Sequence, residues 1–238
     1  MVLKERFSEP KILLVDFHGT VAPSMEPLAE VFADIIQEAY PEAKRSVLIK
    51  RYVQSKGTPI EEQSRQALKL VDGREHLHSE GLELGEKIWR SFVKLKIRPF
   101  KEIPSGLARL KKLGWKIFLS TDNPQWVAEK LVDNVGLRMY FDGILGSDVT
   151  AGHKEHKVVR HVRALAEKFG IKPADYSRHF AYFGDSRGEM ENAKKIGIFG
   201  IGRTTSYPAG KMRLAGARRI VHGTGLKARR SMLAYLKK

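Results

Sequence analysis

Asp16 is followed by Phe17, His18, Gly19 and Thr20, so a carboxylate runs directly into a glycine-containing turn whose backbone amides can face a bound anion. Ser120 and Thr121 set two hydroxyls side by side, donors suited to a phosphoryl oxygen. Lys154, in Ala151-Gly152-His153-Lys154, can balance the charge of a carboxylate beside an incoming phosphate. Asp185 and Glu189, in Gly184-Asp185-Ser186-Arg187-Gly188-Glu189, put two more carboxylates about one helical turn apart, hard oxygen ligands of the kind hexacoordinate magnesium takes. Each has a plainer reading too: Asp16 as a turn cap, Ser120 or Thr121 as a helix cap, Lys154 as a solvated side chain. The combination is far more specific than any one member.

Such groups need elements that bring them together. Ile12, Leu13, Leu14 and Val15 are apolar at every position, which predicts a parallel strand buried on both faces and ending at Asp16. Trp115 to Leu119 predicts a second such strand ending at Ser120 and Thr121, and Phe180 to Phe183 a third ending at Gly184. Shorter strands are expected at Gly143 to Leu145, Ile198 to Ile201 and Arg219 to Val221, alternating with helices at Pro124 to Asn134, Glu155 to Phe169 and Met190 to Lys195. That alternation specifies an α/β fold with a doubly wound parallel sheet, whose ligands bind beyond the carboxyl ends of its strands. Between the first two strands the pattern is helical instead, with Leu28, Val31, Phe32, Ile35 and Ile36 at helical spacing. Further helices centre on Val47 to Val53, Glu61 to Leu70 and Leu82 to Val93, with breaks at Pro41, at Gly57 with Pro59, and at Gly73. This block reads as an inserted all-helical cap domain over 23–99, leaving 1–22 and 100–238 as the core.

The 238-residue chain is 42% hydrophobic, enough for one substantial core and a smaller one. It has no cysteine, which excludes disulfides, thiolate nucleophiles and thiolate metal sites. No stretch approaches the roughly 18 apolar residues of a membrane helix, and residues 1–10 lack the apolar segment of a secretory signal, so a cytoplasmic protein without membrane partners is expected. The net charge of +16 is lopsided: residues 1–100 carry 16 basic and 15 acidic side chains, residues 101–238 carry 27 and 12. From Arg203 to Lys238 there are ten Lys or Arg and no acid. That stretch can bind nucleic acid, steer an anionic substrate or be a solvated face; the last is preferred, because it holds no recognisable nucleic-acid module and no interleaved run of exposed aromatics of the kind used for base stacking.

Taken in order, the motifs resemble those of the haloacid dehalogenase superfamily along almost the whole chain. The first is similar to Asp16-Phe17-His18-Gly19-Thr20, the second to Ser120-Thr121, the third to Lys154 within Ser147-Asp148-Val149-Thr150-Ala151-Gly152-His153-Lys154, and the fourth to Gly184-Asp185-Ser186-Arg187-Gly188-Glu189-Met190. The resemblance implies a Rossmann-like hydrolase core with the helical block as its cap, and a phosphatase acting on small phosphate monoesters. It implies that Asp16 attacks phosphorus to give an aspartyl-phosphate, with Mg2+ held by Asp16, the His18 backbone carbonyl and Asp185 and oriented by Glu189. Ser120, Thr121, Gly19, Thr20 and Lys154 would hold the phosphoryl group.

One position departs from the pattern. Phosphatases of the superfamily usually carry a second Asp two residues after the nucleophile; here it is His18. Histidine can give and take protons near neutrality. Three readings of His18 stand: acid and base catalyst, specificity-setting residue, or mark of an altered protein. Two other functions accordingly stay open. One is a catalytically altered member binding nucleic acid or another polyanion; the other is dehalogenation or phosphonate cleavage, which the metal carboxylates and the unassignable cap lysines disfavour. His153, His156 and His161, set among Lys and Arg, are expected on a surface helix, and Trp126, Tyr140 and Phe141 in the core.

Overall fold

Ile12, Leu13, Leu14 and Val15, all without solvent exposure, form β1 (Ile12–Val15), which pairs in parallel along both edges. The computed structural model describes residues 7–55, 58–73, 78–150 and 155–222. Lys154, His153, His76 and the basic residues beyond 222 lie outside the described residues. After β1 come α1 (Met25–Ala39), α2 (Arg45–Gln54), α3 (Ile60–Asp72), α4 (His78–Phe92) and α5 (Ile103–Lys112). They are followed by β2 (Lys116–Ser120), α6 (Gln125–Asn134), β3 (Gly143–Leu145), α7 (Lys157–Phe169) and α8 (Tyr176–His179). β4 (Phe180–Gly184), α9 (Arg187–Lys195), β5 (Phe199–Arg203), α10 (Ala209–Leu214) and β6 (Arg219–Val221) complete the series.

Among the described residues the strands form one six-stranded parallel sheet in the order β3-β2-β1-β4-β5-β6. This is the doubly wound α/β fold expected from the alternating pattern. The chain builds outward from β1 through β2 to β3, then returns to the other side of β1 for β4, β5 and β6. The order therefore reverses at β1, and the carboxyl ends of β1 and its neighbours flank the switch point where such sheets bind ligands.

Side chains alternate between the two faces of each strand. On one face Ile12, Leu14, Phe118, Phe180 and Tyr182 pack with Val158, Val162 and Leu165 of α7, Met190 and Ala193 of α9, and Met212 of α10. The residues of opposite parity, Leu13, Val15, Ile117, Leu119, Ala181 and Phe183, are buried as well. Leu14 stands opposite Phe118 on β2 and Tyr182 on β4. Two residues further along the same register, Asp16, Ser120 and Gly184 come into line on the face that α7 and α9 cover.

Contacts divide the chain into two compact units, Met1–Pro23 with Ile97–Lys238, and Ser24–Lys96. In the second unit α1 buries Leu28, Ala29, Phe32, Ala33 and Ile36, and Phe32 packs on Tyr52 of α2 with ring centroids 5.1 Å apart. α3 and α4 approach so closely that a Cβ on Gly81 would meet the Glu61 carbonyl oxygen at 2.4 Å. No helix among the described residues is long and apolar enough to cross a membrane.

Two expectations are corrected. α6 buries Val127, Ala128, Leu131 and Val132, and Trp126 falls outside that stripe, 40% exposed rather than in the core. α7 exposes Arg163, Glu167 and Lys168 on its outer face, but His161 lies on the buried stripe of Val158, Val162, Leu165 and Ala166, without solvent exposure, rather than on the surface. His156 is its N-cap, with Nδ1 accepting from the Val158 amide at 3.2 Å.

Candidate active site

Asp16, Asp185 and Glu189 are all buried, and each offers a carboxylate oxygen within 4.8 Å of the others. Two glycines make that approach sterically feasible. A Cβ on Gly19, whose φ is +74°, would lie 2.2 Å from Asp185 Oδ2, and a Cβ on Gly184 would lie 2.2 Å from Glu189 Oε2. Asp16 itself accepts at both oxygens: Oδ2 from the Thr20 hydroxyl at 3.2 Å, and Oδ1 from Lys157 Nζ at 2.6 Å. Burial, then Glu189 and Asp185, push the Asp16 carboxyl up to about 7 against the opposing pull of Lys157.

Lys157 belongs to none of the four motifs. It opens α7, is buried, and also reaches Glu189 Oε1 at 2.9 Å. Burial works against its charge, but Asp16 and Glu189 outweigh that and hold its pKa well above the ordinary lysine value. A signal for it exists in the helical pattern: Lys157, His161 and Leu165 recur every four residues on the stripe that faces the sheet. Lys154 precedes the helix and falls among residues the structure does not describe.

Glu189 also closes the capping box of α9. Its Oε2 accepts from the Ser186 amide at 3.0 Å while the Ser186 hydroxyl accepts from the Glu189 amide at 3.2 Å. Oε1 accepts from Lys157 and, at 3.2 Å, from the Tyr182 hydroxyl. With both oxygens bound to protein donors, Glu189 is better arranged to orient neighbouring groups than to surrender an oxygen to a cation.

The second buried network centres on Ser120. His161 Nδ1 lies 2.8 Å from Ser120 Oγ, and its Nε2 lies 3.3 Å from the Gly146 carbonyl oxygen. Burial first, then Lys157 and Arg160, lower the His161 pKa to about 3, so the ring is neutral. A carbonyl can only accept, which puts the ring proton on Nε2 and makes Ser120 the donor to Nδ1. The Tyr182 hydroxyl also approaches Ser120 Oγ, at 3.3 Å. Thr121 caps no helix, since α6 begins at Gln125 behind Pro124; its hydroxyl accepts from the Asn123 amide at 3.2 Å within the turn after β2. The His18 ring is held by the Asn123 side-chain amide, 2.9 Å from Nε2.

Three carboxylates carry up to three negative charges into one buried site, and Lys157 offsets one of them. The remainder suits a divalent hard cation bound through oxygen.

The sequence model of the haloacid dehalogenase-like hydrolase family matches residues 13–202. The chain belongs to that family. As a haloacid dehalogenase-like hydrolase it is 29% identical over 195 residues to a phosphoglycolate phosphatase of Neisseria gonorrhoeae, spanning 81% of this chain and 79% of that protein. A crystal structure of a predicted phosphoglycolate phosphatase from Haemophilus somnus 129pt superposes with a TM-score of 0.76 at 17% identity, covering 97% of this chain and 99% of that one. A haloacid dehalogenase-like family protein from Streptococcus pneumoniae gives 0.72 at 19% identity, covering 94% and 97%. At those identities the two structures speak for the shared fold alone. The matched span runs from β1 into β5 and so includes every strand end that carries a carboxylate of this hydrolase's site.

Proposed function

We propose that this hydrolase is a magnesium-dependent phosphatase of small phosphate monoesters working through an aspartyl-phosphate on Asp16. The observation that carries the reading is the meeting of Asp16, Asp185 and Glu189 with Lys157, whose Nζ lies 2.6 Å from Asp16 Oδ1, in one buried site at the sheet's switch point. Asp16 attacks phosphorus and displaces the alcohol oxygen, and water then cleaves the acyl phosphate to release phosphate and restore the carboxylate. Lys157 takes the part foreseen for Lys154, holding the Asp16 carboxylate and adding positive charge as the phosphoryl oxygens arrive. Ser120, adjacent to Asp16 in strand register, lines the same side. His18, steadied by Asn123, protonates the leaving oxygen and then draws a proton from the attacking water. Asp16, the His18 main-chain carbonyl and Asp185 are the groups to hold Mg2+, with Glu189 behind them. When bound, the ion neutralises charge on the phosphoryl group. Small phosphorylated acids are the first substrates to test, since the Neisseria relative is named a phosphoglycolate phosphatase.

The test is hydrolysis of 2-phosphoglycolate, para-nitrophenyl phosphate and a panel of sugar phosphates with Mg2+ or EDTA. Activity is expected to need Mg2+ and to vanish in Asp16→Asn. His18→Ala is expected to lower kcat by about 100-fold or more, with His18→Asp recovering part of the loss. Of Lys154→Met and Lys157→Met, the larger loss is expected at Lys157. Wild-type activity that persists in EDTA or in Asp16→Asn would remove the reading.

A further inference from the structure

β5 ends in Arg203, and the residues that follow it turn back over the nucleophile's turn. Arg203 has no solvent exposure; its Nη1 donates to the Thr20 carbonyl at 2.9 Å, its Nη2 to buried Glu102, and its guanidinium lies 3.8 Å from the centre of the Phe100 ring. Two residues on, the Thr205 hydroxyl is 2.6 Å from the Gly19 carbonyl oxygen and 3.3 Å from Asp185 Oδ2. One hydroxyl proton cannot serve two acceptors fully, and the shorter contact takes it. The Ser206 hydroxyl donates to Asp185 Oδ2. Two successive carbonyls of the nucleophile's turn and the carboxylate of Asp185 are therefore held by one short stretch of chain. The turn and Asp185 also touch directly, since Gly19 has no room for a Cβ beside Asp185 Oδ2.

We propose that Arg203, Thr205 and Ser206 are positioning residues that fix Asp185 against the Gly19–Thr20 turn, so that Thr205 and Ser206 set the metal affinity of the site. The proposal rests on the reading of Asp16 and Asp185 as metal-holding groups. Ser206 fixes one oxygen of Asp185 and with it the carboxylate plane, while Thr205 and Arg203 fix the turn that follows Asp16. A cation bound between the two then meets ligands already in place, and loss of such supporting donors typically weakens a metal site about 10- to 100-fold.

Arg203 is too deeply buried to change without unfolding the strand end, whereas Thr205 and Ser206 are exposed, so their hydroxyls can be removed from the intact fold. The experiment titrates Mg2+ into the substrate-free protein, by calorimetry and by the rise in melting temperature. The variants are Thr205→Val with Ser206→Ala, the hydroxyl-keeping pair Thr205→Ser with Ser206→Thr, and Asp185→Asn. Thr204→Val is the control, because that hydroxyl is directed to the Val221 carbonyl on β6. The proposal expects Mg2+ binding in wild type, its loss in Asp185→Asn, and a dissociation constant at least about tenfold weaker in the Val/Ala pair. It also expects near wild-type affinity in the Ser/Thr pair and in the control. Affinity within twofold of wild type in the Val/Ala pair overturns the positioning role and leaves the phosphatase reading intact. No Mg2+ binding by wild type overturns both.

Discussion

At the scale of single residues, α7 matters more than its sequence promised. His161, surrounded by basic residues in the sequence, looked like a surface group, yet it is fully buried and hydrogen-bonded to Ser120. The cause is rotation of the helix: Lys157 and His161 share the apolar stripe of Val158, Val162 and Leu165. Its depressed pKa has a consequence for stability. The unfolded ring takes up a proton below about 6.5, whereas the folded ring, with Lys157, Arg160 and His156 around it, resists until about 3. The unfolded state thus binds more protons in that window, and the stability contributed by neutral His161 is complete above pH 6.5 and lost as pH falls toward 3. His161→Gln removes this component and leaves the other titrating groups in both proteins. The margin of wild type over His161→Gln, measured by urea unfolding, is therefore expected to shrink by about 2 kcal/mol between pH 6.5 and pH 5. A margin independent of pH over that range would mean that the folded ring accepts a proton as readily as the unfolded one.

Elements were legible to different degrees. The three central strands were plain in the sequence because burial on both faces demands apolar residues at every position, as Ile12 to Val15 illustrate. Helix starts were less so. α7 begins at Lys157 instead of Glu155, and α9 at Arg187 instead of Met190, because capping by His156 and Ser186 decides the first turn. The crossing of α3 and α4 was not legible at all, since the reason for Gly81 is a carbonyl on another helix. Alanine at Gly81 gains about 1 kcal/mol of helix propensity. It must also move the Glu61 backbone, and overpacking of that kind costs about 1 to 3 kcal/mol. The second effect wins, so Gly81→Ala is expected to lower the melting temperature by a few degrees. Gly210→Ala, on α10 with nothing within 4 Å of its Cβ position, is expected to hold or raise it. Equal shifts in the two variants would show that helix propensity, not packing, governs both sites.

At the scale of the whole molecule the net charge of +16 falls mainly on residues 101–238, the part of the chain that also supplies Ser120, Lys157, Asp185 and Glu189. Such a field raises the local concentration of anionic substrates and is screened within about 10 Å at 0.1 M salt. For a phosphate monoester, kcat/KM is expected to fall about threefold or more between about 0.01 and 0.15 M salt, with kcat changing less. A kcat/KM insensitive to salt would mean that the charge serves another purpose. The sequence alone determined the parallel α/β sheet and three of the strand ends that carry polar groups, because buried strands write their burial directly into residue type. It did not mark Lys157, three residues beyond Lys154, since the start and rotation of α7 are what bring the Lys157 ammonium to Asp16. Nor could it couple Thr205 to Gly19, 186 residues away, or Ser206 to Asp185, because strand order in the sheet, not spacing in the chain, brings β5 to the turn after β1.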